Sequence, residues 1–221
     1  MSELRTDEEQ AEMLKKWWSE NGTSLLVSAV LVVGGWLGWN QYQDMERQKG
    51  EAASALFTAL TEKFSEYSLN PTDEALQAEA VVMAETLKNE FAGSTYGQFG
   101  SLFLARFAAE NKDIDSAVTE LKALTAEAQP PVLYLARVRL ANLLIDQDKA
   151  DEALALVNTI DDPAYAPQYL EARGDALFSK GSKSAARTAY LEAVDAAKGL
   201  GIDSRGLQRK ADFLVAAEDA G

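Results

Sequence analysis

Chemistry on a protein needs nucleophiles, acid–base groups or metal ligands at fixed spacing, and this chain carries few of them. It has no Cys and no His. That removes thiol nucleophiles, imidazole acid–base catalysis, disulfides and Cys/His zinc sites together. What remains is carboxylate. Asp161-Asp162-Pro163 pairs two acids, but a turn leading into a helix accounts for the pattern. Asp146, Asp148 and Asp151 are spaced like oxygen ligands, yet a calcium loop also needs a Gly at its bend and a bidentate Glu beyond it, and neither stands at its offset. Gly199-Leu200-Gly201 lacks the strand and the phosphate-cradling run of a nucleotide loop. No constellation is complete. The sequence therefore predicts a chain that binds and does not catalyse, with no cofactor and no metal.

The elements that would position a binding surface begin with an anchor. Residues 21–43 carry no charge and are bracketed by Glu20 and Asp44. As a helix at about 1.5 Å per residue they reach roughly 35 Å, enough to cross a hydrocarbon core of about 30 Å. Trp17 and Trp18 mark one edge and Trp36, Trp39 and Tyr42 the other, as aromatic rings do at headgroup level. The apolar run is too long for a cleaved signal, and Trp36-Leu37-Gly38-Trp39-Asn40 offers no small-residue cleavage site. The reading is a permanent single-pass transmembrane helix. Gly34 and Gly38, four residues apart, would let another helix approach closely in lipid. Lys15 and Lys16 flank the near side and Arg47 and Lys49 the far side, a small excess that favours an N-terminus inside.

Charge divides along the chain. The whole carries −14. Residues 1–20 contribute −3 (three Lys/Arg against six acids), 44–49 nothing, and 51–221 −11 (16 against 27). An acidic domain of this kind repels nucleic acid, so no nucleic-acid partner is expected.

Everything beyond the anchor reads as helix. Ala52, Ala53, Leu56, Leu60 and Phe64 recur at three- and four-residue steps, and a helix over 72–91 follows the break at Asn70-Pro71. From residue 95 the chain repeats. Ala105, Ala141 and Gly174 hold one small-residue position. Ala117, Ala153 and Ala186 hold a second, and Leu121, Val157 and Tyr190 a large one. Copies spaced near 34 residues with this pattern carry the tetratricopeptide signature, one helix–turn–helix pair per copy. The expected turns are Asn111-Lys112-Asp113, Gln147-Asp148-Lys149 and Lys180-Gly181-Ser182. The predicted architecture is all-α. It has a tail over 1–20, a transmembrane helix over 21–43, a connector and divergent leading repeat over 44–94, and repeats over 95–221 closed by a capping helix near 203–217.

In such repeats the first helix of each pair lines a concave groove. The register puts Phe99, Leu102, Phe103 and Arg106 into it from the first copy. The second copy adds Leu135, Val138, Arg139, Asn142 and Ile145, and the third Gln168, Glu171, Asp175 and Phe178. An exposed apolar strip with arginines is the composition of a partner site. The alternative is that the chain's own helices, 203–217 or 51–69, fill the groove.

Several segments resemble one bacterial family. Leu14-Lys15-Lys16-Trp17-Trp18-Ser19-Glu20-Asn21-Gly22, Thr95-Tyr96-Gly97 and Leu135-Ala136-Arg137-Val138 are three of them. The most specific runs from Arg173-Gly174-Asp175-Ala176-Leu177-Phe178 through Ser179-Lys180-Gly181-Ser182-Lys183-Ser184-Ala185-Ala186-Arg187. Together these resemble the ancillary subunit of the SecYEG translocon, the YfgM family. The resemblance implies an inner-membrane protein with a cytoplasmic N-terminus and a periplasmic tetratricopeptide-like domain. Its implied partners are the SecYEG translocon, a membrane-anchored periplasmic chaperone of the prolyl-isomerase type, secreted client proteins and the lipid bilayer. Two other functions fit the residues alone: a scaffold for another envelope complex, and a signalling anchor acting through the acidic tail.

Overall fold

The computed structural model describes residues 7–219; the first six residues of the tail lie outside them. It divides into a first unit ending at Ala52 and a second beginning at Ala53. Among the described residues every regular element is helical. The first helix, α1 (Asp7–Leu69), crosses the boundary between the units.

Within the first unit the apolar side chains of α1 have no cover. Val30, Leu31 and Val32 are each about 70% exposed, and only 6% of the most apolar window is buried. A helix that is hydrocarbon on every face is stable in lipid and not in water. It is the one described helix long and apolar enough to cross a membrane.

The second unit is a stack of antiparallel pairs. Residues 53–69 pair with α2 (Glu74–Glu90), α3 (Thr95–Glu110) with α4 (Ile114–Glu127), α5 (Val132–Asp146) with α6 (Ala150–Val157), and α7 (Ala166–Ser179) with α8 (Lys183–Gly199). A short 3₁₀ turn, Pro163–Tyr165, precedes α7, and α9 (Arg205–Asp219) closes the stack against α8. The boundaries follow local chemistry. The Asp73 carboxylate accepts the N–H groups of Ala75 and Leu76 at the start of α2, and Ser94 and Asp113 cap α3 and α4 in the same manner.

The three turns inside the repeats are one device used three times. The middle residue is left-handed in each: Lys112 at φ 64°, Asp148 at 61° and Gly181 at 77°. The next N–H reaches back five residues, Asp113 to Ala108 (2.9 Å), Lys149 to Leu144 (2.8 Å) and Ser182 to Leu177 (2.9 Å). This closure satisfies carbonyls that the ending helix leaves without partners.

The repeat register holds throughout. Ala105, Ala141, Ala117, Ala153 and Ala186 are all buried, as are Leu121, Val157 and Tyr190. At Gly174 an added Cβ would run into the Tyr190 ring. The copies trade volume, therefore. Where the large residue is Leu or Val its small partner is Ala, and where it is Tyr the partner is Gly. The first pair meets α3 through glycines that the repeat pattern does not contain. A Cβ on Gly100 would come within 2.6 Å of the Ala84 carbonyl oxygen, so α2 and α3 approach more closely than any side chain allows.

Candidate protein-binding groove

The inner helices are residues 53–69, α3, α5 and α7, and they treat their inward residues in three different ways. On α3 the expected groove residues are partly covered by the chain itself. Phe99 lies on Phe57 at 5.2 Å between ring centres, and Phe103 meets Phe64 at 5.3 Å and Phe107 at 6.3 Å. Leu102 is 3% exposed and belongs to the core with Ala105 and Leu121. The Arg106 guanidinium stands 4.3 Å above the Phe64 ring and bonds Glu110 at 2.8 Å. Of the two alternatives for the groove, the chain's own leading helix holds this end. The reason is continuity: residues 53–69 form the inner helix of the preceding pair, and their aromatic side chains pack into one core with α2 and α3.

On α5 the inward face is open. Leu135, Val138 and Ile145 pack on the core from one side and stay part-exposed, and Arg139 and Asn142 are exposed. Arg139 makes no hydrogen bond or ion pair among the described residues. Crowding by surrounding protein and then the nearby Arg106 cation hold its pKa below the usual guanidinium value. Such a side chain gains from an anionic neighbour.

On α7 the acids are occupied. Lys210 of α9 bonds Glu171 at 2.9 Å and both oxygens of Asp175 at 2.7 and 2.8 Å. The Tyr190 hydroxyl donates to Asp175 at 2.8 Å. Burial and that carboxylate push the Tyr190 pKa up. For Lys210 burial works downward, and the bonds to Asp175 and Glu171 outweigh it, so its pKa is raised. Gln168 is exposed at the start of the helix. Phe178 remains 42% exposed and meets Phe213 of α9 edge-on at 6.4 Å. Together α7, α8 and α9 enclose a cleft of about 570 Å³ lined by these residues and by Arg209.

The structure thus joins Leu135, Val138, Arg139, Asn142 and Ile145 on one helix face, places Phe178 in the cleft beyond it, buries Leu102, and half-covers Phe99 and Phe103 with other rings of the chain. Phe213, Arg209 and Lys210 of α9 also line the cleft; the sequence places the 203–217 helix as a cap or as a groove-filling helix without singling out these residues. Gly34 and Gly38 lie in the first unit with no atom within 4 Å of where their Cβ would be. Among the described residues no three acids gather as a metal site.

Residues 15–216 match the family model described as Tetratricopeptide repeat-like domain. The chain belongs to that family. This tetratricopeptide repeat-like protein is also similar, over most of its length, to proteins named ancillary SecYEG translocon subunit. The one from Escherichia coli K12 is 29% identical over 195 residues, covering 88% of this chain and 90% of the relative. That from Aggregatibacter actinomycetemcomitans is 28% identical over 195 residues, 88% and 91% of the two chains. That from Neisseria gonorrhoeae is 26% identical over 210 residues, 94% and 97%. No solved structure matches. With its apolar N-terminal helix, the tetratricopeptide repeat-like protein is a membrane-anchored chain whose folded part is a protein-interaction domain.

Proposed function

We propose that this chain is an ancillary subunit of the SecYEG translocon, held in the inner membrane by residues 21–43. Its N-terminus is cytoplasmic and its repeat unit periplasmic. There it helps pass secreted clients to a membrane-anchored chaperone of the prolyl-isomerase type. The observation that carries the reading is the name shared by relatives that match about nine-tenths of their own length, anchor and repeats together. The geometry supports it through the open inner face of α5, where apolar and cationic side chains meet solvent in an otherwise acidic unit. Such a face suits transient capture of extended or amphipathic segments. Gly34 and Gly38 give the anchor a close-packing face for a neighbouring membrane helix.

A photo-crosslinking residue at Asn142, used in intact membranes, tests the partner. Translocon subunits, the chaperone or secreted clients in the crosslinked bands are the expected result. Bands containing only other envelope assemblies would replace the reading with that of a scaffold. Protease added to spheroplasts tests the orientation: the repeat unit is degraded, and its survival until lysis would refute the topology.

A further inference from the structure

The α7–α9 cleft has a chemistry more specific than an apolar groove. Two rings, Phe178 at 42% and Phe213 at 63% exposure, stand in it with solvent between them and any partner. Four charged side chains line it: Glu171, Asp175, Arg209 and Lys210. Three of them are consumed by one another. Lys210 bridges both acids, and Asp175 accepts a further bond from Tyr190. Arg209 has no hydrogen bond or ion pair among the described residues. Asp203, which feels the Arg209 charge, is bonded instead by Arg205 at 3.0, 3.0 and 2.7 Å. The unit as a whole is acidic, so its long-range field would favour basic segments. At contact the cleft offers the reverse: bonded acids, two exposed rings and one guanidinium with no hydrogen-bonded partner among the described residues.

We infer that this cleft docks a segment of another protein that lays a large apolar side chain against the paired rings of Phe178 and Phe213 and an Asp or Glu side chain on Arg209. The inference rests on the protein-binding reading above and names the ligand chemistry of one end of that surface. An internal segment suits the site better than a chain end, because Ile145 of α5 and Phe178 of α7 hold the same place on successive inner helices. The apolar track therefore continues past the cleft and gives a chain room to run on. The floor is set before the ligand arrives. Asp175 is fixed by three bonds and the two rings already touch each other, so the acid and the apolar face are in place before a ligand binds.

The test uses the full-length protein in lipid nanodiscs and two short fluorescein-labelled peptides with amidated C-termini. Both carry Leu-Phe, followed in one by Glu-Asp and in the other by Lys-Lys. The expected result is preference for the acidic peptide by about tenfold at low salt, shrinking as salt is added. Arg209→Gln abolishes the preference. Phe213→Ala weakens both peptides, and Lys122→Gln, a surface change on α4 away from the cleft, changes nothing. Equal or tighter binding of the lysine peptide overturns the inference, as does a preference that survives Arg209→Gln, or no binding by either peptide. Sedimentation of the same samples checks the remaining occupant. A dimer that Phe213→Ala dissolves would assign the cleft to a second copy and overturn the inference. Peptide preference with no crosslinking to translocon or chaperone would fault the functional reading alone; crosslinking without peptide preference would fault the cleft alone.

Discussion

Gly174→Ala installs the residue that the other two copies carry, and it should destabilise the protein. On helix propensity the change is favourable by about 1 kcal/mol. The added methyl, however, would press into the Tyr190 ring, with Cδ1 at 2.5 Å and Cζ at 3.0 Å from the new carbon. Real side chains do not pack so closely, so the ring or α7 must move. Tyr190 is 3% exposed, packs with Ala186, Ala211 and Leu214, and is tied by its hydroxyl to Asp175. It has little room to yield. Overpacking of this kind costs about 1–3 kcal/mol. A change that also loosens the Asp175 bond falls at the upper end of that range, leaving a net loss of about 1–2 kcal/mol. For a folded unit of this size that is a fall in Tm of about 2–8 °C. Thermal melts of the parent, Gly174→Ala, Tyr190→Leu and the double variant form a cycle. Tyr190→Leu alone leaves a cavity beside Gly174 and melts below the parent. The double variant recreates the Ala–Leu pairing of the first copy and recovers most of the stability lost by either change. If Gly174→Ala melted at or above the parent temperature, or if the two changes simply added, the volume exchange between small and large positions would be refuted.

Asp148→Gly relieves a left-handed residue at the second repeat turn and should raise stability by about 1 kcal/mol, read as a higher urea midpoint. Phe103→Ala removes a ring from the aromatic stack with Phe57, Phe64 and Phe107 and should cost about 3 kcal/mol or more, whereas Phe178→Ala, on the open cleft, should move the midpoint by less than about 1 kcal/mol. Equal effects would show that α1 does not cover α3. With no His or Cys, stability should be flat from about pH 5 to pH 9. Above about pH 10 it should fall, because folding raises the pKa of both Tyr190 and Lys210, so the folded state keeps protons that the unfolded chain releases. Tyr190→Phe should make that alkaline limb shallower, and Tyr67 and Tyr169, also raised by burial, should keep it from vanishing. At the acid end, hydrogen bonds from Ser116 hold Asp113 below its usual value, so its contribution is present above about pH 4 and is lost as the pH falls through the lowered pKa.

The anchor and the repeats were legible from the residues alone because both are written locally. A membrane span needs only an uninterrupted apolar run of sufficient length, and a repeat pair needs only small residues where two adjacent helices cross. The period of small, small and large positions therefore located Ala105, Ala141 and Gly174, their partners and all three turns. The open part of the groove was not legible, because exposure depends on which distant helix comes to lie against a face. Phe103 and Phe178 are both phenylalanines on inner helices, and nothing in their neighbourhoods of sequence separates them. Tertiary packing does. Residues 57–64 bring two rings onto Phe103, and α9 reaches Phe178 only edge-on, leaving a cleft. Likewise the two acids of α7 read as groove surface until Lys210, thirty-five residues beyond Asp175, is brought to them. Local pattern decides which residues point inward. Long-range contacts, which bury some of those residues and leave others to solvent, decide which of them a partner can reach.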